Sequence, residues 1–237
     1  YLEKYVIVNA SKINLISEGF QSYFNDKYNL REFSFFSNGI DDVFIDNINR
    51  SEYSNSPSSV LKIVYAGNIG KGQALEKIIP DILNYSQTQI EFRVFGSGSS
   101  LELLRKKIDM KKMNSIKFFG PVDRLQLIDE YMNSDILFLH LDDLDCFEKV
   151  LPSKIFEYAS TGKPILAGLK GYSAEFISNE IENAQIFHPC AYKEALNSLN
   201  QLNLSKTNRE AFVAKYSRTR ISECMAEDIL LVTKVES

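Results

Sequence analysis

From residue 60 onward, short apolar runs alternate with longer amphipathic stretches. The short runs are rich in Ile, Val, Leu and Phe and mostly lack strict alternation, which is typical of parallel strands covered on both faces. The predicted strands are Lys62–Ala66, Ile90–Phe95, Ile116–Phe119, Asp135–Leu141, Pro164–Ala167 and Ala184–Phe187. The predicted helices lie at 73–87, 99–112, 123–133, 153–161, 172–179 and 191–202. This alternation predicts an α/β domain over residues 60–204, built on a doubly wound parallel sheet of strand order 3-2-1-4-5-6.

The first fifty residues follow a separate pattern. Tyr5–Val8 predicts a strand, Ile13–Phe24 a helix and Phe33–Phe36 a second strand, before a turn at Ser37–Asp41. One βαβ unit cannot bury both faces of its own sheet, so we expect residues 1–46 to be the end of another domain. Residues 47–59 are rich in serine and asparagine and are predicted to be a linker.

The last part of the chain predicts a long helix over Lys206–Val235, broken near Tyr216 and Ser217. Apolar side chains recur there at helical spacing and share one face. A helix that follows a completed sheet usually covers a neighbouring surface. We therefore expect residues 205–237 to pack outside the α/β domain.

Composition and charge narrow the class of protein. The chain has 44% hydrophobic and 24% charged residues, as ordinary globular proteins do. Its net charge of −4 argues against a nucleic-acid partner, since such partners usually meet a basic face. No apolar run approaches the roughly 18 residues that span a bilayer, so we expect a cytoplasmic protein and leave a surface association with a membrane open. The first residue is Tyr1 rather than Met, which we interpret as a processed chain or part of a longer one.

Two glycine-containing loops follow the first two strands of the predicted sheet. The loop Gly67–Gly72 (GNIGKG) precedes a helix, and its glycines let the backbone approach a ligand closely. The helix start and Lys71 add positive charge, so this loop has the parts of a phosphate cradle. Its spacing matches neither the ATPase P-loop nor the dinucleotide fingerprint, and a tight turn without a ligand fits equally well. The loop Gly96–Ser100 (GSGSS) is a weaker nucleotide contact that also suits a helix cap.

A third candidate segment follows the fourth strand. Pro152 and Ser153 begin a predicted helix, and Lys154 and Glu157 lie on much the same side of it. A carboxylate there suits a ribose diol, while Lys154 and the helix start suit phosphates; a solvated Lys–Glu pair is the alternative. The first and fourth strands flank the crevice of such a sheet, so we expect this segment to face the loop Gly67–Gly72.

The loop after the fourth strand also carries acidic residues. Asp143-x-Asp145 is similar to a metal–nucleotide motif, but acidic loops are usually only solvated, and His140 is the one further ligand nearby. We expect no metal site there. Neither His140 nor His188 has a Ser or Cys nucleophile pattern around it.

Four segments together resemble family 4 glycosyltransferases of the GT-B fold, and most of all bacterial enzymes that build capsule, O-antigen or exopolysaccharide units. The segments are Val64–Gly70 (VYAGNIG), Phe118–Val122 (FFGPV), Asn133–Ile136 (NSDI) and Leu151–Ile165 (LPSKIFEYASTGKPI), within roughly residues 33–204. The resemblance implies that residues 60–204 are a Rossmann-like C-terminal domain that binds a nucleotide sugar. It further implies that residues 1–46 end an acceptor-binding N-terminal domain of similar type, and that the last helix crosses back to it.

The resemblance also implies a site. Lys71 and Lys154, with the backbone at Gly70 and Ser153, would hold the diphosphate, and Lys71, Lys154 and Glu148 would form the catalytic set. Glu157 would bind the ribose hydroxyls, and the charge on the leaving group would be stabilised electrostatically. The nucleotide-binding set is Gly67, Asn68, Gly70, Ser97, Gly120, Pro121, Val122, Ser153 and Glu157. No cofactor is obligatory in such enzymes, and UDP is a more common donor nucleotide than GDP.

The chain departs from the family pattern at two points. The family commonly has Glu-x7-Glu, but counting back from Glu157 reaches Lys149, and Glu148 is the neighbouring candidate for that first carboxylate. Asn68 and Ile69 lie where the family often has Arg, so Lys71 and Lys154 would neutralise more of the phosphate charge.

We therefore expect the donor half of a retaining glycosyltransferase that acts in bacterial surface polysaccharide synthesis. The acceptor, a glycan or a polyprenyl-linked sugar, would bind a missing N-terminal domain, so this chain would bind nucleotide without turnover. The full-length enzyme could associate with the inner face of the membrane. Two alternatives stay open: a nucleotide-sugar epimerase, which would need acid/base groups such as His140, Asp145 and Glu148 at the crevice, and a non-catalytic binding module.

Overall fold

The computed structural model describes residues 2–28, 32–48, 59–111 and 114–235. The strands are β1 (Ile13–Leu15), β2 (Phe33–Phe35), β3 (Leu61–Ala66), β4 (Ile90–Phe95), β5 (Ile116–Phe119), β6 (Ile136–His140), β7 (Ile165–Gly168) and β8 (Ala184–Phe187). The helices are α1 (Leu2–Val8), α2 (Gln21–Tyr28), α3 (Asp42–Ile48), α4 (Leu75–Tyr85), α5 (Leu101–Met110), α6 (Arg124–Met132), α7 (Lys154–Ser160), α8 (Tyr172–Glu180), α9 (Tyr192–Gln201), α10 (Glu210–Tyr216) and α11 (Arg218–Val235).

Strands β3 to β8 form one parallel sheet in the order β5-β4-β3-β6-β7-β8. This confirms the predicted doubly wound α/β fold, since the first and fourth strands of the sheet, β3 and β6, lie side by side at its centre. All residues of β6 are buried, as expected for a strand covered on both faces. Helices α3, α6, α7, α8 and α10 contribute to the core on one face, and α4, α5 and α9 to the core on the other.

Helix α4 contains a proline in its interior. Pro80 has no N–H with which to reach the carbonyl of Glu76 four residues earlier. The ammonium group of Lys107 donates to that carbonyl instead, at 2.8 Å. The buried acceptor therefore keeps a partner, and the helix continues to Tyr85.

The N-terminal segment is where sequence and structure differ most. The predicted strand Tyr5–Val8 is part of helix α1, and the predicted helix Ile13–Phe24 begins as strand β1 and continues into α2 only at Gln21. The strand that pairs with β2 is therefore β1, in parallel register, and the predicted βαβ unit exists with its first strand displaced. The predicted linker 47–59 overlaps the end of α3, and residues 49–58 lie outside the described residues.

The C-terminal helix is broken at Ser217, as predicted, but it begins at Glu210 rather than at Lys206. Ser217 is extended and lies beside Ile40: the Ile40 N–H donates to the Tyr216 carbonyl at 2.7 Å, and the Arg218 N–H donates to the Ile40 carbonyl at 2.8 Å. The segment around Ile40, which follows the N-terminal unit, and the break between α10 and α11 at Ser217 thus run parallel to each other. None of the helices among the described residues is both long and apolar enough to cross a membrane.

Candidate functional site

The site lies at the carboxyl ends of the central strands, where the loops after β3 and β6 meet. The Asp142 N–H donates to the Gly72 carbonyl at 2.8 Å. A Cβ at Gly72 would lie 2.8 Å from the ring of Phe147, so the two loops are in van der Waals contact. The predicted convergence of the loop Gly67–Gly72 with the segment after β6 is therefore what the structure shows.

Close backbone packing explains the second glycine loop. Gly96 has a φ of +126°, and a Cβ there would lie only 2.0 Å from the Gly67 carbonyl oxygen. The Ile69 N–H donates to the Ser97 carbonyl at 2.8 Å, which joins the loops after β3 and β4. Ser97 itself is exposed. Glycine is needed at position 96 because any side chain would separate these loops.

The loop Gly67–Gly72 is held by one glutamine side chain. Gln73 Oε1 accepts from the Gly70 N–H at 3.1 Å and from Asn68 Nδ2 at 3.0 Å. Lys71 lies between these contacts and is exposed, and its ammonium group forms no hydrogen bond or ion pair with the other described residues. The loop thus presents an uncompensated ammonium group, while the Gly70 N–H that was expected to face a phosphate already has an acceptor.

Helix α7 presents Lys154 and Glu157 toward this loop. Lys154 Nζ lies 2.7 Å from Glu157 Oε2, and about three quarters of each side chain is shielded from solvent. The Lys154 side chain reaches the glycine loop, since a Cβ at Gly67 would lie 3.9 Å from Lys154 Cε. Ser153 precedes the helix and is exposed. The Lys–Glu pair is therefore part of the crevice and not an outer helix surface.

Two buried tyrosines, Tyr158 on α7 and Tyr131 on α6, join α7 to its neighbours. Tyr158 OH accepts from the Ala66 N–H at the end of β3, at 3.0 Å, and Tyr131 OH lies 3.5 Å from Lys154 Nζ. Burial raises the pKa of both phenols well above the usual value, so they remain protonated donors and acceptors. The tyrosines were not among the sequence-predicted site residues, because their apolar spacing is that of ordinary core positions.

A cavity of about 330 Å³ opens between the glycine loops and α7. The sequence-predicted residues that line it are Gly67, Asn68, Ser97, Pro121, Val122 and Lys154. Phe95 also lines the cavity and stacks on Phe119, 4.5 Å between ring centroids. Gly120 is exposed at its edge but does not line it.

A second cavity, of about 290 Å³, includes Ser153 and Glu157 on the other side of the α7 start. Its far wall is the connection from the N-terminal unit, where Asp41 binds Arg124 and Arg218 at 2.6 Å and 3.0 Å. Together with the Val43 N–H, these two guanidinium groups outweigh partial burial and hold the pKa of Asp41 below its usual value. Glu157 therefore lies where the two cavities approach each other.

Glu148 lies in a different electrostatic environment from the two lysines of the site. Its carboxylate is 3.2 Å from Lys170 Nζ, which also binds Asp143 at 2.9 Å and Asp145 at 3.3 Å. The hydrogen bond from Lys170 lowers the pKa of Asp143. No group of three or more candidate metal ligands occurs among residues 2–28, 32–48, 59–111 and 114–235. In the acidic loop that we considered as a metal motif, three carboxylates thus share one lysine.

Lys149 lies eight residues before Glu157, at the place of the first glutamate of Glu-x7-Glu, and it contacts the N-terminal unit. Ser17 Oγ donates to the Lys149 carbonyl at 2.6 Å, and a Cβ at Gly19 would lie 2.7 Å from the same oxygen. The N-terminal unit therefore reaches the site edge at the point where the chain departs from Glu-x7-Glu.

His140, at the end of β6, is a structural group rather than an acid or base. Its Nδ1 lies 2.7 Å from the Gln73 carbonyl, and its Nε2 accepts from the Cys190 N–H at 3.0 Å. A carbonyl only accepts, so the proton is on Nδ1. Burial lowers the pKa of His140 to about 4. Both nitrogens of His140 are engaged, and Asp145 and Glu148 are paired with Lys170, which disfavours these groups as the acid and base of an epimerase.

The model of the family described as glycosyl transferases group 1 matches residues 47–220. A search of the curated proteins finds no significant match. The family match includes the two glycine loops, the segment Gly120–Val122 and helix α7.

Solved glycosyltransferase structures share the fold at low sequence identity. A glycosyltransferase from Rickettsia africae gives a TM-score of 0.78 at 15% identity, over 98% of this chain and 66% of that one. HepE of Anabaena, in complex with UDP and glucose, gives 0.73 at 18% identity, over 96% and 66%. A TarM variant of S. aureus, in a complex that includes UDP, gives 0.68 at 16% identity, over 95% and 45%.

The chain spans between about half and two thirds of the length of these proteins. Its parallel sheet and flanking helices match the Rossmann-like C-terminal domain of GT-B glycosyltransferases. The family match extends over most of the chain and includes every loop that forms the crevice. This chain therefore belongs to the glycosyl transferases group 1 family.

Proposed function

We propose that the crevice binds a nucleotide sugar, with UDP as the nucleotide, and that the enzyme transfers the sugar with retention of anomeric configuration. The observation that carries the proposal is the convergence of Lys154 and Glu157 with the loop Gly67–Gly72 across one crevice. HepE and TarM, which share the fold, are described in complexes with UDP. That likeness favours UDP over GDP for this chain.

The diphosphate lies between Lys71 and Lys154 in this proposal. Lys71 is exposed on the glycine loop, and Lys154 is held half-buried beside Gly67. Two ammonium groups on opposite sides of a crevice suit a group that carries two or more negative charges. They also stabilise the charge that grows on the diphosphate as it leaves.

Glu157 is assigned to the ribose hydroxyls. Its Oε2 is paired with Lys154 Nζ at 2.7 Å. A bound nucleoside diphosphate would give each group a new partner. Phosphate oxygens would accept from the Lys154 ammonium group, and ribose hydroxyls would donate to the Glu157 carboxylate. Loss of the internal ion pair is therefore offset by ligand contacts of the same type.

The reaction follows from these positions. The bond between the sugar C1 and the β-phosphate oxygen breaks, and its electron pair stays on that oxygen, beside Lys71 and Lys154. The acceptor hydroxyl forms the new bond to C1 on the same face, and its proton passes to the departing β-phosphate oxygen. Glu148 is assigned to the sugar end of the donor, where its pairing with Lys170 leaves one carboxylate oxygen for hydroxyl groups.

We further propose that the acceptor is a glycan or a polyprenyl-linked sugar of bacterial surface polysaccharide synthesis, bound by a second domain. The solved structures that share the fold are longer than this chain, and α1 and Ile16, directly after β1, carry exposed apolar side chains that such a domain would cover. Residues 1–46 are assigned to that domain, 47–59 to the linker, 60–204 to the donor domain and 205–237 to the helix that crosses back. The enzyme would act in the cytoplasm, at the inner face of the membrane.

A nucleotide panel tests the donor assignment. We expect isothermal titration of the chain with UDP to show saturable binding, GDP to bind more weakly, and Lys154→Ala and Glu157→Ala each to weaken UDP binding about tenfold, as expected for lost charge-assisted hydrogen bonds. Lys106→Ala and Glu102→Ala, on the exposed face of α5, are the matched controls. Absence of binding, or equal affinity in all variants, would refute the assignment.

The same chain tests the two-domain proposal. Incubation with UDP-sugars and a polyprenyl-linked acceptor is expected to give no transfer, because acceptor contacts are assigned to another domain. Transfer by this chain alone would overturn that part of the proposal and leave the donor site intact.

A further inference from the structure

Gln73 has no role in the proposed reaction, yet both its side chain and its backbone hold the glycine loop in place. Its side-chain oxygen accepts from the Gly70 N–H and from Asn68 Nδ2 at 3.1 and 3.0 Å. Its backbone carbonyl accepts from His140 Nδ1 at 2.7 Å. Gln73 therefore connects the glycine loop to the buried His140: its side chain binds the loop, and its backbone binds the imidazole.

His140 is rigidly placed for this contact. It is fully buried, its ring lies 6.0 Å from that of Phe187, and its second nitrogen is occupied by the Cys190 N–H at 3.0 Å. A Cβ at Gly168 would lie 2.2 Å from His140 Cδ2, so only glycine in β7 leaves room for the imidazole. The buried sheet thus ends in a hydrogen-bond donor directed at the loop.

Lys71 lies in the segment that these contacts bracket. Gly70 is tied to Gln73 Oε1, and Gln73 is tied to His140, so the backbone of Lys71 is fixed on both sides while its side chain stays exposed. The Gly70 N–H is already used by Gln73. Anion contacts from this loop therefore depend on where Lys71 is held.

We propose that Gln73 and His140 are positioning residues that hold Lys71 for the diphosphate of the donor. The inference rests on the proposed function, because it assigns a role within the same site. The Gln73–His140 pair affects only the contact with the diphosphate. The contacts with the nucleoside, at Glu157 and the segment Gly120–Val122, do not depend on it.

Gln73→Met tests this, because Met fills a similar volume and removes the acceptor of the Gly70 N–H. We expect UDP affinity to fall about tenfold, the equivalent of one to two hydrogen bonds, while uridine affinity changes less than about twofold. Isothermal titration measures UDP, and ligand-observed NMR measures uridine. Gln87→Met, at an exposed turn residue far from the crevice, is the control and should change neither affinity.

His140 provides a second, independent pair of variants. His140→Leu removes the donor to the Gln73 carbonyl and should repeat the selective loss of UDP affinity. His140→Asn restores a donor near the position of Nδ1 and should recover most of that affinity. If His140→Leu does not fold, the Gln73→Met result decides alone.

The results distinguish failure of the positioning role from failure of the proposed nucleotide binding. Equal losses of UDP and uridine affinity in Gln73→Met would mean general damage and would overturn the positioning role, as would unchanged UDP affinity. Failure of the unmodified chain to bind UDP would overturn the proposed function, and this inference with it.

Discussion

The main sheet and the N-terminal unit are built from the same βαβ pattern but differ in how completely they are covered. Every residue of β6 is buried between two layers of helices. In the N-terminal unit, by contrast, β2 is only half-buried and α1 leaves Leu2 77% and Tyr5 71% exposed. The unit keeps its fold partly through the main domain, by the Ser17–Lys149 bond and the packing of Phe44 against Tyr131. Coverage, rather than local pattern, distinguishes a self-sufficient sheet from one that depends on a neighbour.

The largest expected effect contrasts one aromatic residue from each region. Phe92→Ala removes a fully buried ring from β4 and should lower the free energy of unfolding by about 3–5 kcal/mol. Tyr5→Ala removes an exposed ring from α1 and should change it by less than about 0.5 kcal/mol. Urea denaturation followed by circular dichroism measures both.

The contrast fails if Tyr5→Ala destabilises the chain as much as Phe92→Ala does. That outcome would place α1 in the same cooperative core as the sheet. It would also remove the main reason for regarding the N-terminal unit as incompletely covered.

A smaller effect is expected on the free energy of unfolding at acidic pH. The two histidines of the chain lie in the main domain, and burial lowers the pKa of His140 to about 4 from 6.5. Between these values the unfolded chain binds a proton that the folded chain does not, so the free energy of unfolding should fall as the pH falls from about 6.5 to about 4. We expect this residue to account for about 3 kcal/mol of that loss, since one pKa unit corresponds to about 1.4 kcal/mol.

Denaturation at a series of pH values compares the unmodified chain with His140→Asn, which cannot titrate. The variant should show a shallower loss of stability over the same interval. An identical slope in both proteins would mean that His140 is not the group responsible.

The main fold was predictable because its periodic pattern is long and consistent. Six apolar runs, each followed by an amphipathic stretch, leave few topologies, and the strand order followed from the doubly wound rule. The N-terminal error has a physical cause. A run as short as Tyr5–Val8 has no period that separates helix from strand, and only tertiary pairing of Ile13–Leu15 with β2 decides the matter.

Individual site residues could be predicted from the sequence better than the hydrogen bonds that join them. Glycine, lysine and glutamate at loop positions indicated Lys71, Lys154 and Glu157, since charge and backbone freedom are visible in sequence. The role of Gln73 had one local signal, a Gln three residues after the start of a helical turn at Gly70, which is half of a capping box. The contact of Gln73 with His140 joins residues 67 positions apart, and no local pattern reports it.

The most direct test of the central claim is hydrogen–deuterium exchange of the chain with and without UDP. The account predicts slower exchange on UDP binding in residues 67–73 and 153–158, with exchange in the N-terminal residues 2–28 unchanged. Protection confined to the N-terminal unit, or none in the two crevice segments at saturating UDP, would contradict the claim that the nucleotide is held between the β3 loop and α7.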